Sequence, residues 1–223
     1  MVRIGRTLRR DGAPARLRGV VLRTVSAVAA GAAALGVGGV LLHAASTSAA
    51  DRITVGSEVP DVPLLDEAGK THKLSDYRGK LVVFEWTNPD CPYVKRHYTA
   101  DTMERLSTEL GGQGVVWLAV NSTHYNTAAD TIAWREKQGF EYATLQDEKG
   151  TLGKLMGART TPHMFVVDPA GKLAYQGAID DDPSGDSSSA TNYVSGAAEA
   201  LLGGAAVDPA STKPYGCSVK YGR

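Results

Sequence analysis

The chain has 223 residues, 43% of them hydrophobic, with 24 basic and 24 acidic side chains. That is enough for one globular domain with a packed core plus extensions. Residues 1–50 hold seven arginines and one acid, which leaves 17 basic and 23 acidic residues in 51–223 and no basic patch suited to nucleic acid.

At the N-terminus the arginines come first. A charge-free stretch rich in Ala, Val and Gly follows over residues 24–42, and then small residues over 45–50. Basic, then apolar, then small is the order of a secretory signal, with cleavage expected after Ala50. The apolar stretch is also near the length that spans a bilayer, so an uncleaved anchor with cytoplasmic arginines is the alternative. Either way residues 51–223 are expected in a periplasmic or other extracytoplasmic compartment, with any membrane contact made through the leader. A disulfide persists in such a compartment.

Residues 52–80 read as a lead-in with a small hairpin around Glu67-Ala68-Gly69-Lys70. The run Leu81-Val82-Val83-Phe84-Glu85-Trp86 is the first buried strand. The spacing of Val94, Tyr98, Leu106 and Leu110 predicts one helix from Tyr93 to about Leu110, stopped by Gly111-Gly112. Next come a strand over 115–120, a helix over 127–138, a short strand at 143–145 and a short helix over 152–158. Residues 164–167 and 173–179 form a hairpin about Asp168-Pro169-Ala170-Gly171-Lys172. A polar loop spans 180–192, and Asn192 caps a last helix that Gly203-Gly204 ends. Strands alternating with helices predict an α/β fold with a mainly parallel sheet covered on both faces and one antiparallel edge. The domain spans 51–205, and residues 206–223 are a tail carrying the second cysteine.

Cys91 stands where the first strand hands over to a helix. There it occupies the N-cap, with Pro92 in the first helical position. A helix N-terminus stabilises a thiolate through its unpaired N–H groups and its dipole, and the thiolate is the reactive form. Lys95, Arg96 and His97 add positive charge nearby, and Asp90 opposes them. The bland alternative, an inert buried cysteine acting as a small hydrophobe, fits poorly with the polar Asn-Pro-Asp-Cys-Pro setting. Pro162, taken locally, is an ordinary trans proline that opens a strand.

Four segments together carry a resemblance. They are Asn88-Pro89-Asp90-Cys91-Pro92-Tyr93-Val94-Lys95, Thr161-Pro162-His163-Met164-Phe165-Val166-Val167-Asp168, Tyr175-Gln176-Gly177-Ala178-Ile179-Asp180-Asp181 and Tyr215-Gly216-Cys217-Ser218-Val219-Lys220-Tyr221. In this order they resemble the thioredoxin-fold redoxins of the AhpC/TSA and TlpA-like group. They are most similar to a branch with a single active-site Cys-Pro-Tyr-Val and a C-terminal Gly-Cys-x-x-Lys. The resemblance implies a thioredoxin-like fold with a central mixed sheet flanked by helices, preceded here by the hairpin. It implies a cis Pro162 lying against Cys91, and a thiol-based oxidoreductase needing no cofactor.

This sequence departs from the group at two places. Val94 stands where thioredoxins carry the second cysteine of Cys-x-x-Cys, so no local disulfide forms. Asn88 stands where peroxiredoxins carry Thr or Ser, with Thr87 one position further away. Cys217 is then the expected partner of Cys91, reached through a flexible tether over 203–215. The pair is either a reversible redox couple with Cys91 attacking, or a permanent staple of the tail. Thr161, Pro162, Pro92 and Trp86 are expected to shape the substrate groove, and Arg159 is the candidate to polarise a peroxide. Three functions stay open: disulfide exchange with protein thiols and an external thiol donor, reduction of a hydroperoxide, and redox-inert partner binding. Asp180-Asp181-Asp182 reads as a solvated loop, the histidines lack ligand spacing, and no metal site is expected.

Overall fold

The computed structural model describes residues 52–222. The leader expected at residues 1–50 lies outside them. Among the described residues no helix is long and apolar enough to cross a membrane.

The first buried strand is β3 (Val82–Thr87), with no exposed position. It pairs in parallel with β4 (Val116–Asn121) on one side and antiparallel with β7 (His163–Val167) on the other. Beyond β4 lies β5 (Thr144–Gln146), and beyond that the lead-in hairpin β1 (Leu64–Asp66) and β2 (Thr71–His72). Beyond β7 lies β8 (Leu173–Gly177). The seven-stranded order is β2-β1-β5-β4-β3-β7-β8. Only β3–β4 and β4–β5 are parallel, so the sheet is mixed rather than mainly parallel. There are two reasons: the lead-in hairpin joins the sheet antiparallel at β5 instead of standing ahead of it, and β7 runs antiparallel to the central strand β3.

Successive side chains of β3 serve two cores. Val83 belongs to a cluster with Cys91, Val94, Tyr98 and Leu106, under the helices of one face. Val82, Phe84 and Trp86 belong to a cluster with Phe165, Leu152 and Met156 on the other face. Period-two alternation in a fully buried strand produces this division.

The helix predicted from Tyr93 to Leu110 is two helices, α1 (Pro92–Thr99) and α2 (Thr102–Gly111). Asp101 between them has φ of 56°. A continuous helix would put Asp101 or Thr102 on the buried stripe one turn after Tyr98. The left-handed residue resets the phase so that Met103, fully buried, takes that place. The remaining helices follow the expected signals. Thr127 caps α3 (Ala128–Gln138) in a capping box with Asp130, and Gly139 ends it in the left-handed conformation. Then come α4 (Thr151–Met156) and α5 (Tyr193–Leu202), whose cap is the Asn192 side chain accepting from Ser195 N at 2.8 Å.

The tail is not a loose tether. Gln176 N donates to Ala210 O at 3.2 Å and Thr212 N to Gln176 O at 3.1 Å. Two short strands absent from the sequence reading then pair antiparallel: β6 (Thr160–Thr161) and β9 (Cys217–Ser218), in the register Thr161↔Cys217. Further on, Val219 N donates to Arg159 O at 3.0 Å, and the Tyr221 hydroxyl donates to Ala158 O at 2.8 Å. Tyr221 lies in a cradle at Gly150 and Gly153, where an added Cβ would come within 2.4 and 2.5 Å of its ring and hydroxyl.

Candidate active site

The register of β3 with β7 assembles the site. Trp86 faces His163, so the residues leaving β3 and those entering β7 are neighbours. The departing loop is shaped by Asn88, whose side-chain oxygen accepts from Asp90 N at 2.8 Å and whose carbonyl accepts from Cys91 N at 3.0 Å. Cys91 is the N-cap of α1 in extended conformation, and Pro92 is its first residue. On the opposite wall the Thr161–Pro162 bond is cis. The Cys91 thiol donates to Thr161 O at 2.9 Å. Since Thr161 pairs with Cys217, the two cysteines flank one residue, and both are free thiols.

Their environments differ. Cys91 is 1% exposed, whereas Cys217 is half-buried. Burial opposes the Cys91 thiolate and is the largest single influence. The Thr161 hydroxyl, the Cys217 thiol and the N–H groups of Val94 and Cys217 together outweigh it and hold the pKa below the usual thiol value. The buried Thr161 hydroxyl has no hydrogen-bond partner in the structure. We read it as a donor that acquires its acceptor only when the sulfur loses its proton. The Cys217 thiol is pushed up to about 11 by burial and by the adjacent Cys91, with Lys220 pulling the other way. The asymmetry favours the thiolate at Cys91 and the protonated thiol at Cys217.

The sign of one coupling is testable. Cys217→Ala removes a thiol donor to the Cys91 thiolate, so the Cys91 pKa is expected to rise. Thiolate absorbance near 240 nm, followed against pH, reads it directly. A midpoint unchanged or lowered in the variant contradicts the coupling.

Thr161, Pro162, Cys91 and Cys217 meet at one place, and Pro92 is exposed beside them. Two expected residues do not join. Trp86 is fully buried on the other face of β3, with its indole N–H donating to Ser122 Oγ at 3.0 Å and its ring edge-on to Phe165 at 4.9 Å. It is a core residue and lines no groove. Arg159 is exposed, and among the described residues no hydrogen bond links its guanidinium to Cys91. The structure ties down its backbone instead, with Arg159 N donating to His163 Nδ1 at 3.2 Å. Thr87, the nearest β3 hydroxyl, is buried with no partner.

A cluster that sequence reasoning missed lies at the start of the tail's last turn. The Tyr215 hydroxyl donates to Asp180 Oδ1 and lies 3.0 Å from His97 Nε2. Its ring is 6.0 Å from that of Tyr93 and 5.8 Å from the Arg96 guanidinium. Burial lowers the His97 pKa, Asp180 opposes that, and Arg96 adds to it. Another buried group is Glu85, which accepts from Tyr98 at 3.0 Å, Trp117 at 3.0 Å and Tyr142 at 3.2 Å. Burial raises its pKa despite these three donors.

Comparison with known proteins agrees with this chemistry. The profile described as AhpC/TSA family matches residues 55–176 and stops before the tail that carries Cys217. The chain is 31% identical over 121 residues to the thiol-disulfide oxidoreductase ResA of Geobacillus thermodenitrificans, covering 54% of this chain and 67% of that protein. It is 29% identical over 108 residues to peroxiredoxin bcp1 of Schizosaccharomyces pombe, 48% of this chain and 53% of that one. A solved structure, a hypothetical protein from Sinorhizobium meliloti 1021, superposes with a TM-score of 0.69 at 25% identity, over 76% of this chain and 96% of that one. With its helix-start thiol, cis proline and mixed sheet, the chain belongs to the AhpC/TSA family and is a thiol-based oxidoreductase of thioredoxin-like fold.

Proposed function

We propose that this protein is an exported thiol-disulfide oxidoreductase in which Cys91 attacks and Cys217 resolves. The observation that carries the reading is the pairing of Cys217 with Thr161, the residue whose carbonyl holds the Cys91 thiol. The Cys91 thiolate attacks one sulfur of a substrate disulfide. That S–S bond breaks, the first substrate thiolate leaves and takes up a proton, and a mixed disulfide forms on Cys91. Cys217 loses its proton and attacks Cys91 Sγ, and the second substrate thiolate leaves. The substrate has gained two electrons, and the enzyme holds a Cys91–Cys217 disulfide that an external thiol donor reduces. Thr161, Pro162 and Pro92 border the approach to the sulfur. The partners are protein thiols or disulfides.

Mild oxidation followed by peptide mapping is expected to show the Cys91–Cys217 link, and a dithiol reductant is expected to reverse it. If the two sulfurs never join, or join with a potential well below about −300 mV, the catalytic pair is wrong and, in the second case, the bond is a staple. A second reading, reduction of a hydroperoxide by the same two cysteines, is favoured by the burial of Cys91, since a small oxidant needs less room than a protein disulfide. Stopped-flow oxidation separates the two: a rate with hydrogen peroxide no faster than that of free cysteine removes the peroxidase.

A further inference from the structure

We infer that Tyr215 is the positioning residue for Cys217, and that Tyr93, Arg96, His97 and Asp180 form the latch that holds it. The inference rests on the Cys91–Cys217 pair proposed above. Three of the four latch residues, Tyr93, Arg96 and His97, lie on α1, the helix whose N-cap is Cys91. The nucleophile and the anchor of its partner therefore share one rigid element. A shift of α1 carries both sulfurs together instead of parting them.

The latch has polar and aromatic halves. The Tyr215 hydroxyl donates to the Asp180 carboxylate. Its oxygen then has a lone pair left for His97 Nε2 at 3.0 Å, which requires the tautomer with the proton on that nitrogen. The Arg96 guanidinium lies 5.8 Å from both the Tyr93 and Tyr215 ring centres. Arg96 is itself held by the carbonyls of Pro183 and Asp182, at 2.6 and 3.0 Å. Each contact is modest alone, but Asp180, His97 and Arg96 all act on the Tyr215 side chain.

What Tyr215 fixes is passed on stiffly. One residue, Gly216, separates it from Cys217. Gly216 has φ of +128° and is pressed so closely on Thr161 that an added Cβ would lie 2.2 Å from its carbonyl oxygen. Cys217 then enters β9 opposite Thr161. Without the latch the register still exists as a possibility, but Cys217 spends less time in it. Its effective concentration at Cys91 falls accordingly.

The measurement is the equilibrium of the Cys91–Cys217 disulfide with reduced and oxidised glutathione, read for wild type, Tyr215→Phe and Tyr215→Ala in the full chain. Tyr215→Ala is expected to disfavour the disulfide about tenfold, a potential about 30 mV higher. Tyr215→Phe, which keeps the ring and loses the hydroxyl, is expected to shift it less and in the same direction. Melting temperatures are read alongside. A lower melting temperature with an unmoved glutathione equilibrium in both variants overturns the inference and makes Tyr215 a structural pin. A wild-type protein that forms no Cys91–Cys217 disulfide overturns instead the reading beneath it.

Discussion

Cys91→Ser is expected to lower thiol-disulfide exchange by about 10³-fold or more, whereas Cys217→Ser stops the cycle one step later. The difference follows from the two environments. Removing Cys91 leaves only Cys217, whose thiol is pushed up to about 11 mainly by burial, an influence that survives the substitution. At pH 7 such a thiol is ionised in roughly one molecule in ten thousand. Removing Cys217 leaves Cys91 in place, facing Thr161 and the N-terminal N–H of Val94. The first attack proceeds, but the mixed disulfide has no internal resolver and accumulates. A Cys217→Ser preparation mixed with a disulfide substrate should therefore carry a stable adduct, which mass mapping places on Cys91. An adduct found instead on Cys217 in the Cys91→Ser protein, formed at the wild-type rate, would reverse the roles.

The same asymmetry sets the direction of recycling. In the structure, where both thiols are free, Cys91 is the buried sulfur and Cys217 the more accessible one. In the proposed cycle a thiol donor from solution is therefore expected to meet Cys217 and to release Cys91, the sulfur of lower pKa and the better leaving group. On that expectation the sulfur that opens the proposed reaction is also the one expelled when the enzyme is reset.

Much of this architecture is legible in the amino-acid order because it depends on local rules. The all-apolar run before Cys91, the glycines that stop helices and the Asn192 and Thr127 caps each act within a few residues. The cis geometry at Pro162 has no such local signature, and only the resemblance implied it. Three features escape for physical reasons. The break at Asp101 depends on which side chain the core accepts after Tyr98, a tertiary choice that helical periodicity cannot express. The pairing of β6 with β9 joins two-residue strands more than fifty positions apart, and two residues carry no alternation to read. From its sequence setting Trp86 suits a core as well as a cleft wall. Strict alternation along β3 puts it with Val82 and Phe84, away from the face that Val83 shares with Cys91.

Gly216→Ala is the substitution expected to separate the tail from the catalytic sulfur while leaving the domain folded. Two independent obstacles meet at this residue. Its φ of +128° is one that side chains with a Cβ rarely adopt, and the new Cβ would lie 2.2 Å from the Thr161 carbonyl oxygen and 2.8 Å from its carbon. Neither neighbour is the end of a flexible side chain. Thr161 is followed directly by Pro162 and β7, which pairs with β3 at the centre of the sheet. The tail must therefore give way, and the cheapest yield is loss of β9 from β6. The fully buried members of both core clusters lie outside the tail, with Tyr215, Cys217 and Val219 packed only against their edges, so the domain is expected to stay folded. The glutathione equilibrium of the Cys91–Cys217 disulfide should then fall by about 100-fold, a rise of about 60 mV in potential. Cys91, now uncovered, should be alkylated faster by iodoacetamide than in wild type, although its thiolate loses the donors of Cys217. The two readouts move in opposite directions only if the tail both covers and resolves Cys91. A variant that keeps the wild-type potential shows that β9 tolerates the added methyl group. One that loses the disulfide without gaining alkylation shows that something other than the tail shields the sulfur.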